Sequence, residues 1–173
     1  FNFTKVGLKI NYEINRLDLS KTQFILEGNQ GFGNIPLTHL FHASPNNPNK
    51  PGIFERVDVA GSTIFETMYF NEFFSRKQVS LNLRHQLRPW RITKNIRPEL
   101  VFVSRHIVGD LDNMQVHRNI TFNTLDKGYH EAGLELNNIL FGFGIGVFYR
   151  YGPYHLPTFK DNFALKYTFE LSL

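Results

Sequence analysis

Ser104 and His106 are the residues whose types and spacing come nearest to a catalytic arrangement. They are two positions apart in a predicted strand, residues 96–108, so their side chains share one face. A hydroxyl and an imidazole can act as nucleophile and base when a third group orients the base. This spacing is common by chance, and the sequence has no Gly-x-Ser-x-Gly elbow, Walker-type loop or dinucleotide fingerprint. An enzyme acting on lipid, with Ser104, His106 and Glu131 as the residues to test, is therefore one alternative.

Two carboxylates and an arginine offer a second arrangement of charged groups. Glu131 and Glu135 share one face of a predicted strand, and Arg150 lies beside them if this strand and the next form a hairpin. Opposite charges on neighbouring strands stabilise their pairing. We therefore expect a charge network inside a barrel, and we predict no catalytic residue.

Histidine is the remaining type that could support metal chemistry, because the chain has seven histidines and no cysteine. His39 and His42 are three positions apart, and His130 precedes Glu131. Zinc needs three or four convergent ligands, usually in a recognisable spacing, and this sequence does not supply them. We expect no metal and no other cofactor. The absence of cysteine excludes disulfides, thiolate sites and cysteine catalysis.

Strands must position these residues, and the clearest strand signal is at residues 161–173, DNFALKYTFELSL. Apolar and polar residues alternate there with a period of two, which indicates a strand. A terminal strand with one aromatic and apolar face is typical of bacterial outer-membrane barrels.

Residues 129–140 and 141–151 predict the best hairpin. One face of its second arm is aromatic and apolar, and the other carries Gly142, Gly144 and Gly146. Three glycines in alternate positions leave a smooth wall against which another group can pack closely.

Five further segments predict strands: residues 3–15 and 77–87 alternate cleanly, 22–33 alternates more weakly, 62–74 resembles a strand, and 96–108 has mixed faces. Two long loops, about 34–61 and 109–128, separate some of them. Loops of this length are uncommon in compact soluble domains but normal on the external side of an outer-membrane barrel. The total is about eight strands in a single domain or barrel fragment, residues 1–173.

Composition limits the remaining classes. No apolar run approaches the roughly 18 residues of a membrane helix, so a membrane-spanning form must be a closed barrel. The net charge of +4 comes from scattered residues, which does not indicate a nucleic-acid groove. Trp90, between Arg88 and Arg91, fits either a membrane interface or a turn packed on a core edge.

Alternation alone does not decide which face is wet, since a soluble lipid-binding barrel buries the apolar face that a membrane barrel exposes. Mixed Gly, Asn, Glu and Arg on the polar faces, aromatic residues near strand ends and unequal loops favour an antiparallel transmembrane β-barrel with aromatic girdles. The predicted lipid-facing residues are Leu165, Tyr167, Phe169, Leu171, Phe143, Ile145, Val147 and Tyr149. The predicted lumen-facing residues are Glu131, Glu135, Arg150, Lys166 and Glu170.

Three stretches carry a family resemblance. EAGLELNNILFGFGIGVFYR, residues 131–150, resembles the penultimate hairpin of a Bacteroidota outer-membrane family in which a carboxypeptidase-regulatory-like domain precedes a C-terminal barrel of unassigned function. IPLTHLFHASPNNP, residues 35–48, and IFETMYFNEFFSRKQVSLNLRH, residues 64–85, are similar to a Pro-containing loop and an aromatic segment with an Asn-Glu-Phe core, here Asn71, Glu72 and Phe73. The resemblance implies a barrel of the surface-antigen type.

The sequence thus predicts an integral protein of the bacterial outer membrane with a structural, envelope-assembly or transport role. Its expected partners are outer-membrane lipid and other outer-membrane proteins in a complex, with no nucleic acid. The regulatory-like domain is missing and the chain begins at Phe1, so we expect the C-terminal part of a larger barrel. The alternatives are an eight-stranded barrel enzyme acting on lipid and a soluble lipid-binding barrel.

Overall fold

The structure, a computed structural model, describes residues 2–93, 96–112 and 121–169. Strand accounts for 56% and helix for 6%, which confirms the predicted all-β class. The elements in chain order are β1 (Phe3–Asn15), β2 (Lys21–Gly33), β3 (Pro45–Asn47), β4 (Phe65–Tyr69), β5 (Lys77–Gln86), β6 (Glu99–Asp110), β7 (Tyr129–Leu140), β8 (Phe143–Tyr151), α1 (Phe159–Asn162) and β9 (Phe163–Phe169), with 3₁₀ turns at Leu37–His39 and Phe54–Arg56.

Seven strands form one antiparallel sheet in the order β1-β2-β5-β6-β7-β8-β9. The connections 16–20 and 141–142 and the described residues of 87–98 lie at one end of the sheet, which we call the turn end. The connections 34–76 and 152–162 and the described residues of 111–128 lie at the other, the loop end. Every long excursion of the described chain from the sheet, apart from 87–98, therefore leaves from one end.

The β7–β8 hairpin agrees most closely with its prediction. Its turn residues, Phe141 and Gly142, both have positive φ angles, 50° and 83°. Tight hairpin turns of type I′ require positive φ at both positions because this matches the twist of the flanking strands. The glycine-lined face packs closely as expected, since a Cβ atom at Gly146 would lie 2.8 Å from the ring of Phe148.

The predicted strand at residues 62–74 is not part of the seven-stranded sheet. Only β4 forms there, and it pairs in parallel with β3 in a separate two-stranded sheet. Residues 65–68 of β4 are all buried, so both faces of this strand are covered. The structure thus has seven strands in the main sheet, where about eight were predicted.

We call residues 34–76 the inserted segment, because they leave the sheet after β2, cover its polar face and return to β5. Reciprocal backbone hydrogen bonds between Phe41 and Ser75, of 2.8 and 3.0 Å, join the two ends of the segment. An apolar cluster at the loop end packs the segment against the sheet; its buried members are Ala43, Phe65, Met68, Phe73, Ile107, Leu125 and Tyr129.

The sheet is open in the described residues, so the closed barrel of the prediction is not observed. β1 and β9 are its edges and do not pair with each other. The inserted segment lies along part of the free edge of β9: the Tyr167 N–H donates to the Asp58 carbonyl over 2.8 Å, and the Ala60 N–H donates to the Tyr167 carbonyl over 2.7 Å. The edge of β1 has no such cover among the described residues.

Candidate functional site: a buried polar face and a polar cluster on the exposed face

From β5 to β9 the polarity of the sheet is inverted relative to a soluble protein, since the apolar face is exposed and the charged face is buried. The predicted lumen-facing residues Glu131, Glu135, Arg150 and Lys166 are at most 1% exposed. Of the predicted lipid-facing residues, Phe143, Ile145, Tyr167 and Phe169 are about half exposed, and Val147, Tyr149 and Leu165 are half-buried. Glu170 and Leu171 lie outside the described residues.

A row of alternating charges crosses three strands on the buried face. Arg105 of β6 lies opposite Glu131 of β7, which lies opposite Arg150 of β8. An Arg105 Nη1 atom is 2.8 Å from Glu131 Oε1, and both side chains are fully buried. Charges this deep are stable only when paired and hydrogen-bonded, and the inserted segment supplies the other partners.

Glu131 binds the inserted segment through three groups of β4. Its carboxylate accepts hydrogen bonds from the backbone N–H groups of Glu66 (3.2 Å) and Thr67 (2.7 Å) and from the Thr67 hydroxyl (2.6 Å). β4 does not pair with the main sheet, so this side chain takes the place of a strand neighbour for part of its backbone. Glu131 therefore joins the sheet to the inserted segment.

Arg150 binds the Asn-Glu-Phe core of the inserted segment. Its two terminal nitrogens donate to the Glu72 carboxylate over 3.0 and 2.6 Å. Bidentate arginine–carboxylate pairs fix orientation as well as charge. Phe73 lies in the buried apolar cluster, and Asn71 has a positive φ of 60°, so this tripeptide forms a turn that docks on β8.

Two further buried cations hold the inserted segment near β9. Lys166 Nζ donates to the carbonyls of Asn46 (2.5 Å) and Arg56 (2.9 Å). Arg56 in turn donates to the Tyr69 hydroxyl and, over 2.5 Å, to the Lys160 carbonyl. Residues far apart in the sequence are thus tied together by cation-to-oxygen bonds on the polar face.

Glu66 has the most perturbed carboxyl group of the inserted segment. Burial raises its pKa from 4.5 to about 7, although Arg105 and a hydrogen bond from Asn46 act in the opposite direction. Its carboxylate is 3.6 Å from Arg105, farther than the carboxylate of Glu131 is. Glu131 is therefore the closer carboxylate partner of Arg105, and burial favours the protonated form of Glu66.

The inserted segment leaves part of the polar face uncovered near the turn end. A polar cavity of about 270 Å³ remains there, lined by Gln23, Ala60, Gly61, Ser62, Arg84, Glu135, Asn137, Thr168 and Phe169. Arg84 and Glu135 form a bidentate pair in its wall, with both distances 2.8 Å. The cavity is large enough for several water molecules or a small polar solute.

The predicted pair Ser104 and His106 lies on the opposite, apolar face of the sheet. Ser104 Oγ is 2.9 Å from His106 Nε2, and His106 Nδ1 is 2.9 Å from His130 Nδ1. Glu131, the third residue of the sequence-based enzyme alternative, lies on the other face and cannot orient His106. The sequence analysis missed His130 in this role; the pairing of β6 with β7 places it directly opposite His106.

The other predicted features are scattered. His39 and His42 contact Phe3 and Phe74 edge to face, with ring centroids 5.0 and 4.3 Å apart. Trp90 is exposed in the 87–98 connection. Among residues 2–93, 96–112 and 121–169, no three His, Asp or Glu residues converge as metal ligands.

No protein-family model, curated protein or solved structure matches this chain. In the described part of the chain, no helix is long and apolar enough to span a membrane. The fold and the site therefore define an all-β protein with an open antiparallel sheet, a buried charged face and an exposed apolar face.

Proposed function

We propose that this chain forms wall and plug of a β-barrel in the bacterial outer membrane, with a role in transport or envelope assembly. The inverted polarity of the sheet is the observation that carries the proposal. Exposed apolar residues occur on every strand of the sheet: Val6, Leu8, Ile10 and Tyr12 on β1, Phe24 and Leu26 on β2, Val79 on β5, Phe102 and Val108 on β6, Leu134 on β7, Phe143 and Ile145 on β8, and Tyr167 and Phe169 on β9. An exposed apolar surface of this extent is costly in water and favourable in lipid.

The dimensions and the connections fit a membrane wall. β1, β2, β6 and β7 have 12 or 13 residues, more than the roughly 9–11 that a tilted strand needs to cross a bilayer. Bacterial barrels have short periplasmic turns and longer external loops. The loop end, with the inserted segment, would then be external and the turn end periplasmic.

The open edges support a larger barrel. In lipid, every backbone N–H and C=O group must be bonded within the protein, so β1 and β9 both need neighbours. The inner face of β1, with Lys5, Lys9 and Asn11, is also exposed, which fits a lumen enclosed by more strands than these seven. The resemblance to surface-antigen-type barrels of Bacteroidota is consistent with this interpretation.

The inserted segment would act as a plug. It fills the polar face at the loop end, through ion pairs and an apolar cluster, and leaves the polar cavity at the turn end. A lumen closed outside and open towards the periplasm suits a protein that receives cargo, or assembles with other outer-membrane proteins, from the periplasmic side. Its partners would be outer-membrane lipid and such proteins.

Single-cysteine labelling tests the membrane assignment, because the native chain has no cysteine. Ile10 and Asn11 are adjacent on β1, point to opposite faces and are both exposed, so both can be labelled. With a fluorophore on Ile10→Cys or Asn11→Cys in phospholipid vesicles, lipids with nitroxide-labelled acyl chains should quench the first and not the second. Equal quenching, or stable monomeric folding in water without detergent, would favour the soluble alternative.

A further inference from the structure

A chain of polar side chains interrupts the apolar face of the sheet. Ser104, His106 and His130 are linked by the two 2.9 Å contacts described above, and Tyr151 stacks on His130 with ring centroids 5.6 Å apart. The residues beside this row of polar side chains on the same face are apolar; they include Leu81 opposite His106 and Ala132 opposite Ser104. Ionisable groups on a lipid-facing surface are costly and are functional candidates by default.

The order of the atoms is that of a nucleophile, a base and a group that orients the base. The hydroxyl contacts one ring nitrogen of His106, and the third residue contacts the other ring nitrogen. In the productive proton arrangement, the Ser104 hydroxyl donates to Nε2 and the Nδ1–H of His106 donates to His130. The same arrangement activates a serine in enzymes of unrelated folds. It is recognised by its geometry and by the role of each residue, and not by sequence order.

The position on the sheet indicates the substrate. His130 is the second residue of β7 and Tyr151 is the last residue of β8. The row of polar side chains therefore begins at the loop-end rim and runs inwards to Ser104. In a membrane wall His130 and Tyr151 would lie at the headgroup and acyl-chain boundary, where the ester bonds of glycerophospholipids lie. Ser104, opposite the fourth residue of β7, would lie roughly 8 Å from that rim, on the acyl-chain side of the boundary. Ser104 is half-buried there, and its cross-strand neighbour Ala132 is small and exposed.

We propose that Ser104, His106 and His130 form an acyl-ester hydrolase site for membrane phospholipids, a proposal that rests on the membrane assignment above. Ser104 Oγ attacks the ester carbonyl and its proton passes to His106 Nε2. The C–O bond to the glycerol oxygen then breaks, and His106 returns the proton to that oxygen, which leaves a lysophospholipid and an acyl-serine. Water, deprotonated by His106, attacks the acyl-serine, and a fatty acid is released as Ser104 regains its proton.

A second hydroxyl–imidazole pair on the same face provides the matched control. Thr22 Oγ1 is 2.9 Å from His85 Nδ1, but His85 has no third polar side chain bonded to it among the described residues. Thr22→Val removes the hydroxyl from this pair as Ser104→Ala does from the other. His130 is a positioning residue, so His130→Asn, which keeps an acceptor for the His106 N–H, should preserve more activity than His130→Ala.

The experiment uses the protein in phosphatidylglycerol vesicles and measures fatty-acid release, together with labelling by a fluorophosphonate located by mass spectrometry. We expect Ser104 to be labelled, Ser104→Ala and His106→Ala to reduce release to that of protein-free vesicles, and Thr22→Val to change nothing. His130→Ala should lower kcat about tenfold or more at unchanged KM, and shift the pH profile. His130→Asn should recover most of the loss.

Membrane insertion is measured on the same samples by the quenching of a label at Ile10→Cys. Normal quenching with no labelling at Ser104, or with equal release from wild type and Ser104→Ala, overturns the hydrolase site and leaves the membrane barrel intact. Loss of quenching overturns the membrane barrel, and the phospholipid substrate with it.

Discussion

An arginine at the centre of the apolar face gives the most direct test of its environment. Leu134 is exposed on β7, five residues from Tyr129 and six from Leu140. At about 3.3 Å per residue and a tilt of about 40°, it would lie roughly 13 Å from the rim, near the midplane of an apolar band about 25 Å tall. Leu134→Arg should therefore destabilise the protein by about 2–4 kcal/mol.

Phe169→Arg is the matched control. Phe169 is similarly exposed, but it pairs with Phe143, the first residue of β8, and so lies near the turn-end rim. The same substitution there should cost only about 0–1 kcal/mol. The assay is reversible urea unfolding in phospholipid vesicles, followed through the single tryptophan, Trp90.

The difference between the two positions is the decisive quantity. On a water-exposed surface both substitutions would change stability by about 0.5 kcal/mol or less. Equal and small effects at Leu134 and Phe169 would therefore refute the membrane assignment. Equal and large effects would mean that the apolar face packs against protein.

Three further substitutions test the buried face. Glu131→Ala leaves a buried arginine without its nearest carboxylate and should cost about 3–5 kcal/mol in urea unfolding, whereas Glu27→Ala, at a half-exposed pair with Lys9, should cost about 0–1 kcal/mol. The raised pKa of Glu66, about 7, means that the folded chain holds a proton which the unfolded chain has released, so stability should fall as pH rises from about 4.5 to about 7. Glu66→Gln should abolish that loss, about 3 kcal/mol at 1.36 kcal/mol per pKa unit; an unchanged pH profile of the unfolding free energy would contradict it. At Gly144 a Cβ atom would lie 2.3 Å from a backbone oxygen of β7, so Gly144→Ala should cost about 1–3 kcal/mol. At Gly28 the nearest atom to an added Cβ is a Val79 methyl at 4.0 Å, an ordinary contact, so Gly28→Ala should be near neutral; equal denaturation midpoints for the two variants would refute the packing argument.

Local patterns predicted the sheet strands because most of them have one apolar and one polar face; β6, with mixed faces, begins three residues later than predicted. β1, β5, β7 and β8 begin and end within two residues of the predicted limits. Alternation is a property of neighbouring residues, and it does not depend on what covers either face. For the same reason, the sequence predicted which side of β7, β8 and β9 is charged and which is apolar.

The inserted segment could not be placed in this way, because its contacts are distant in the sequence. Thr67 and Glu131 are 64 positions apart, and Glu72 and Arg150 are 78 positions apart. β4 is covered on both sides, so its four consecutive buried residues carry no signal for one face. His130 was missed for a related reason, since it meets His106 only when β6 and β7 pair in the observed register.

Apolar contacts, more than ion pairs, keep the inserted segment on the sheet. If the sheet lines a wet lumen, as proposed, undocking would expose Arg105, Arg150 and Glu131 to water. Water then replaces much of what the ion pairs lose, so each pair contributes about 0–1 kcal/mol. Undocking would also expose Phe65, Met68 and Phe73, which are at most 2% accessible, at about 1.5–3 kcal/mol each. Removing one partner of an ion pair while the segment stays docked costs more stability, because the remaining charge stays buried without its partner. The ion pairs therefore fix where the segment docks and the apolar cluster decides whether it docks, so any molecule that displaces the segment must cover Phe65, Met68 and Phe73 in turn.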